Sequence, residues 1–165
     1  MKISVSMYSL NAVVQKEKWS PADFIKYASE ISLDGVELLD FYWKDKEKEL
    51  EQVLQALKKY DMPVSAYDVS NNFVKGSREE RAAEEAKVLE GIKTAKKLGT
   101  EIVRVFCGDL NGELTYEEGQ DWIVEGLKHC AVAAEKEQIY LAIENHGLLA
   151  GKSEQVQEII NRVNS

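Results

Sequence analysis

This sequence predicts an α/β fold of five parallel strands, each followed by a helix, curving into part of a (β/α) barrel. Three observations predict it. Strand-like runs recur roughly every 30 to 40 residues with a helical pattern between each pair, a rhythm that makes right-handed βαβ units and a parallel sheet. Along each run apolar residues alternate with small, aromatic or charged ones, whereas a parallel strand covered by helices on both faces reads as a continuous apolar run. The polar face carries Glu37, Arg104 and Glu144. A sheet that closes with its helices outside can admit such groups near its C-terminal mouth, and an open doubly wound sheet cannot. A full barrel has eight such units over roughly 250 residues. The five present are expected to form a single domain, 1–165, with the first and fifth strands left as edges.

The elements follow in order. The first strand, Ile3–Tyr8, sets Ile3, Val5 and Met7 against Ser4, Ser6 and Tyr8. Ser20-Pro21, with Asp23 in the first turn, places a cap residue before proline at the first helical position. The second strand, Val36–Asp40, opposes Val36 and Leu38 to Glu37 and Leu39, and Leu50, Val53, Leu54 and Leu57 then recur at helical spacing. In the third strand, Val64–Val69, Val64 and Ala66 are read as facing the helices and Ser65 and Tyr67 as facing inward. An irregular loop, Asn71–Gly76, follows on the presumed site face. Ser77-Arg-Glu-Glu80 and Thr115-Tyr-Glu-Glu118 are capping boxes, each opening a helix. The first of these helices carries Val88, Ile92, Ala95 and Leu98 on one stripe and stops at Gly99. The fourth strand, Ile102–Phe106, opposes Val103 and Val105 to Ile102 and Arg104, and the turn-rich Gly108-Asp-Leu-Asn-Gly112 after it has no phosphate-cradle pattern. The fifth strand, Ile139–Ile143, runs into Glu144, Asn145, His146 and the breaker Gly147, and Ser153 with Glu154 starts the last helix.

Composition narrows the function. A net charge of −8 and a pI near 4.9 speak against nucleic acid and anionic membrane surfaces as partners, because both want a surplus of Lys and Arg. No stretch approaches the roughly 20 apolar residues of a membrane span, and the N-terminus lacks the long apolar run of a signal peptide. Cys107 and Cys130 lack metal-type spacing and read as free thiols, which fits a cytoplasmic location.

The chemistry concentrates in Tyr140-Leu-Ala-Ile-Glu-Asn-His-Gly147. A carboxylate and an imidazole at the C-terminal end of a parallel strand stand where α/β folds place their sites. An inward Arg104 needs a carboxylate, with Glu37 and Glu144 the candidates. The bland alternative for Arg104 and Glu37 is a buried ion pair that orients the lumen, and for Glu144 a carboxylate that caps the strand end and pairs with Arg104. Tyr8, Trp43, Tyr67 and Phe106 lie near strand ends and could line a sugar pocket, although ordinary packing explains each one alone. His146 either contacts substrate or bonds to loop backbone; His129 reads as a solvated helix residue, and Trp19 and Trp122, around helix starts, read as packing.

The chain resembles the N-terminal part of xylose isomerase-like TIM-barrel proteins, the sugar phosphate isomerase/epimerase group. The matching stretches are Ile3-Ser-Val-Ser-Met7, Leu33-Asp-Gly-Val-Glu-Leu38, Lys97-Leu-Gly-Thr-Glu-Ile-Val-Arg-Val-Phe106 and Leu141-Ala-Ile-Glu-Asn-His-Gly147. The resemblance implies a partial (β/α) TIM barrel, about five of its eight units. It also implies a divalent metal (Mn, Mg, Co or Zn) at the mouth, Glu144 as its first ligand and as a proton-transfer group, and a sugar or sugar phosphate as substrate. Tyr8, Glu37, Tyr67, Arg104 and His146 are the candidate substrate-binding residues. The three remaining ligand positions of the family have no counterpart before Ser165, so the chain is expected to be incomplete and to bind metal weakly alone. Two other readings stand beside this one: a non-catalytic partial barrel that self-associates through its edges as a homo-oligomer, and an endonuclease IV-like metallo-phosphodiesterase, which the acidic balance disfavours.

Overall fold

The computed structural model describes residues 1–110 and 114–165; Asn111 and Gly112 of the turn-rich loop fall outside them. The strands are β1 (Ser4–Ser6), β2 (Gly35–Leu39), β3 (Val64–Val69), β4 (Ile102–Val105) and β5 (Tyr140–Ile143), in one parallel sheet ordered as in sequence. Helices α1 (Asn11–Glu17), α2 (Pro21–Glu30), α3 (Lys46–Tyr60), α4 (Arg78–Leu98), α5 (Tyr116–Glu137), α6 (Gly147–Ala150) and α7 (Ser153–Val163) connect and follow them. This is the predicted βα rhythm, with α1 and α6 as additions. Tyr8 falls in a 3₁₀ turn over Met7–Leu10 rather than in the strand.

The start signals act as their chemistry requires. Ser20 accepts the Asp23 backbone N–H while Asp23 accepts that of Ser20, with Pro21 in the first turn; Ser77 with Glu80 and Thr115 with Glu118 repeat the reciprocal pair. Gly99 ends α4 at φ +76°, in the left-handed region that glycine enters without strain.

One face of the sheet meets the helices. Val36, Leu38, Val69, Val103 and Val105 have no exposed surface and belong to a single core with Phe24 and Ile25 of α2, Val53 of α3 and Ile92 of α4. Helix α4 lies especially close, because a Cβ at Gly91 would stand 2.4 Å from Val69 Cγ2.

The third strand departs from simple alternation. Val36 pairs with Val64 but Glu37 pairs with Ala66, so Ser65 is an extra residue in β3. Its hydroxyl shares a 2.7 Å hydrogen bond with Ser4 and donates to Val36 O at 3.2 Å, and Thr100 donates to Ser65 O at 3.2 Å. These bonds hold the bulge. Beyond it the phase is inverted: Ala66 and Asp68 share the inner face with Glu37 and Arg104, and Tyr67 turns to the helix face with Leu38 and Val103. The expectation of an inward Tyr67 is therefore corrected.

Candidate active site

Four ionisable side chains, Glu37 of β2, Asp68 of β3, Arg104 of β4 and Glu144 just after β5, gather on the inner face at the C-terminal end of the sheet. Register sets them side by side: Arg104 of β4 pairs with Asp68 of β3 and Ala142 of β5, and Glu144 follows β5 with its N–H donated to Val105 O at 3.1 Å. Arg104 Nη2 donates to Asp68 Oδ2 at 3.0 Å, and Arg104 Nε lies 3.0 Å from Glu144 Oε2. The anticipated carboxylate for Arg104 is thus Glu144, joined by Asp68; Glu37 sits on the far side of Asp68.

Asp68 is 1% exposed. Burial first, and the neighbouring Glu37 carboxyl second, push its carboxyl up to about 8, against the pull of Arg104. The hydrogen bonding agrees. Asp68 Oδ1 is buried without a hydrogen-bond partner, and a proton on it leaves Oδ2 to accept from Arg104. Two carboxyls in contact hold one proton more easily than none.

The Arg104 guanidinium lies 4.2 Å from the Phe106 ring centroid, and Phe106 meets the His146 ring at 5.1 Å. Asn71, buried in the irregular loop, pins this strand end: its side chain donates to Phe106 O at 2.7 Å and accepts from Phe106 N at 3.0 Å. His146 is exposed at the start of α6. Across the mouth, exposed Tyr8 and Phe41 form an edge-on pair 6.3 Å apart.

Of the six residues singled out from sequence, the structure gathers Glu37, Arg104, Glu144 and His146, puts Tyr8 on the rim, and sends Tyr67 elsewhere. Tyr67 is fully buried beneath Lys46, 5.7 Å from its ring, and burial together with Asp40 raises its phenol above the ordinary value. Asp68, Asn71 and Phe41 were missed. A signal for Asp68 existed: an inward arginine calls for a carboxylate on a neighbouring strand, and Asp68 is the only one in the third strand.

A family model described as xylose isomerase-like TIM barrel matches residues 25–165. The chain belongs to this family. No curated protein matches its sequence. Among solved structures of the xylose isomerase-like fold, a D-tagatose 3-epimerase-like protein aligns at a TM-score of 0.81 and 19% identity, over 97% of this chain and 60% of its own. A zinc-bound IOLI protein aligns at 0.78 and 18%, over 100% of this chain and 60% of its own. D-Psicose 3-epimerase in the presence of D-fructose aligns at 0.77 and 17%, over 100% and 61%. At these identities the likeness shows the fold, and the chain spans about 60% of the length of the structures it matches.

The donor set decides how this xylose isomerase-like chain meets a metal. Among the described residues, no group of three or more His, Cys, Asp or Glu side chains is placed to hold one, and the Glu144 carboxylate is bound to Arg104. These residues do not make a metal centre by themselves, since divalent ions need several protein ligands. No helix among the described residues is long and apolar enough to cross a membrane.

Proposed function

We propose that this chain carries part of the active site of a sugar or sugar-phosphate isomerase or epimerase, with Glu144 moving a proton at the carbon next to a carbonyl. The observation that supports this reading most is the placement of Glu144 at the mouth end of β5, held at 3.0 Å by Arg104, which itself lies over the Phe106 ring next to His146. A carboxylate positioned beside a bound ketose removes a proton α to the carbonyl. Arg104, as a fixed cation, stabilises the negative charge that develops. Tyr8, Glu37 and His146 supply the remaining polar and aromatic contacts to the ring and hydroxyls. The divalent metal associated with the fold would have Glu144 as one ligand and requires others beyond the described set.

Solvent-proton exchange tests the proposal without requiring full turnover. The chain is incubated in D2O with D-fructose, D-psicose or their phosphates, with and without Mn2+, and deuterium at the carbon next to the carbonyl is read by NMR. Exchange that disappears in Glu144→Gln is the expected result. Exchange of equal rate in that variant, or none with any ketose, refutes the assignment.

A second reading, association of copies through the free edges of β1 and β5, is favoured by exposed Tyr140 and Ile160 beside the β5 edge.

A further inference from the structure

We propose that Asp68 is a positioning residue of the mouth: it fixes the Arg104 guanidinium, which in turn sets the direction of the Glu144 carboxylate. This deepens the proton-transfer reading of Glu144, and its test is independent of any substrate.

The geometry carries the proposal. Arg104 spans two strands, with Nη2 on Asp68 Oδ2 and Nε on Glu144 Oε2, both at 3.0 Å. A guanidinium is planar, so fixing Nη2 and Nε together fixes the whole fork. The two anchors differ. Glu144 has a side chain 41% exposed, and that of Asp68 is 1% exposed. The buried end is the one that cannot wander, so Asp68 determines where the guanidinium lies and Glu144 follows it. Phe106, whose backbone is pinned by Asn71, packs its ring against the guanidinium.

The bulge at Ser65 is what makes this arrangement available. Without the extra residue Asp68 would fall on the helix face and Tyr67 would point inward. Arg104 would then lose the neighbour that stands beside it in register.

On Asp68, Oδ2 accepts from Arg104 while Oδ1 is buried without a partner, with the Glu37 carboxyl beside the same side chain. An asparagine keeps the acceptor for Arg104 and puts an NH2 donor in place of Oδ1. An alanine reproduces neither.

The Arg104 Nε–H signal in 1H–15N spectra of the full chain reads the arrangement directly, with exposed Arg78 as the internal reference. In the wild type, Arg104 Nε–H is expected to exchange with solvent at least about tenfold more slowly than that of Arg78. Asp68→Asn retains the slow exchange, and Asp68→Ala brings it to within about twofold of Arg78. Equal rates for Arg104 and Arg78 in the wild type overturn the proposal, and that comparison stands even if the alanine variant fails to fold. An alanine variant that folds and keeps the wild-type rate overturns it as well. Because no sugar is present, a failure here is separate from a failure of the exchange test on Glu144.

Discussion

At the scale of single residues, Asp68 gives a pH dependence of stability with a definite sign. Its carboxyl lies at about 8 in the folded chain against an ordinary value of 3.8. The folded state therefore holds a proton that the unfolded state has released. That contribution is fully present below the unfolded value and is lost as pH rises toward the folded one. The groups facing Asp68 are Glu37 from β2 and Arg104 from β4, with Glu144 beyond the arginine. Replacing Asp68 by Asn removes the titration and keeps an acceptor for Arg104. In urea unfolding between pH 5 and pH 8, the wild type is expected to lose stability relative to Asp68→Asn by up to about 1.4 kcal/mol per pH unit. A difference between the two proteins that stays constant over this range contradicts the shared-proton arrangement.

At the scale of elements, most of the scaffold was legible because it is written in local signals. Three reciprocal caps open α2, α4 and α5 where Ser20, Ser77 and Thr115 stand, and alternation placed Val36, Leu38, Val103 and Val105 against the helices. Alternation is also where reading failed. A period of two carries straight through Val64–Val69 and puts Tyr67 inside, and a single extra residue reverses every side chain after it. Ser65 alone does not announce a bulge; its partners Ser4, Val36 and Thr100 come from other segments. The clustering of Glu144 with Arg104 could be anticipated because charge inside a sheet demands a counter-charge, whereas the identity of the buried anchor depended on register.

The approach of α4 to β3 offers a prediction at this scale. A glycine inside a helix ordinarily costs about 1 kcal/mol relative to alanine, so Gly91→Ala should stabilise an isolated α4. The Cβ would meet Val69 Cγ2 at 2.4 Å and Val103 Cγ1 at 3.8 Å. Overpacking a core typically costs about 1–3 kcal/mol, so the net effect is expected to be a lower urea midpoint. Val69→Ala opens the space, and in that background Gly91→Ala should cost less than it does alone. A midpoint raised by Gly91→Ala in the wild-type background would show that α4 does not rest on Val69.

At the scale of the whole molecule, the sheet among the described residues ends in two unlike edges. Strand β1 is only three residues long, which shortens that edge. Strand β5 is flanked by a groove of about 470 Å3 between α5 and α7, lined by Leu127, Ala131, Leu141, Ile143, Ile160 and Val163. Ile160 is 53% exposed and Tyr140 71% exposed at this border. Unpaired backbone groups beside an apolar groove recruit another strand and helix. Both edges belong to one parallel sheet, so β1 of one copy can extend β5 of another in the same direction, and the contact is head-to-tail. The 165-residue chain is therefore expected to sediment as species larger than a monomer, with a weight-average mass that rises with concentration. Ile160→Glu places a charge in the groove on the helix face, away from Arg104 and Glu144, and is expected to shift the distribution toward monomer while leaving the Arg104 Nε–H signal in place. A chain that sediments as a monomer at every concentration, with or without the substitution, would mean that the β5 edge is not a site of self-association.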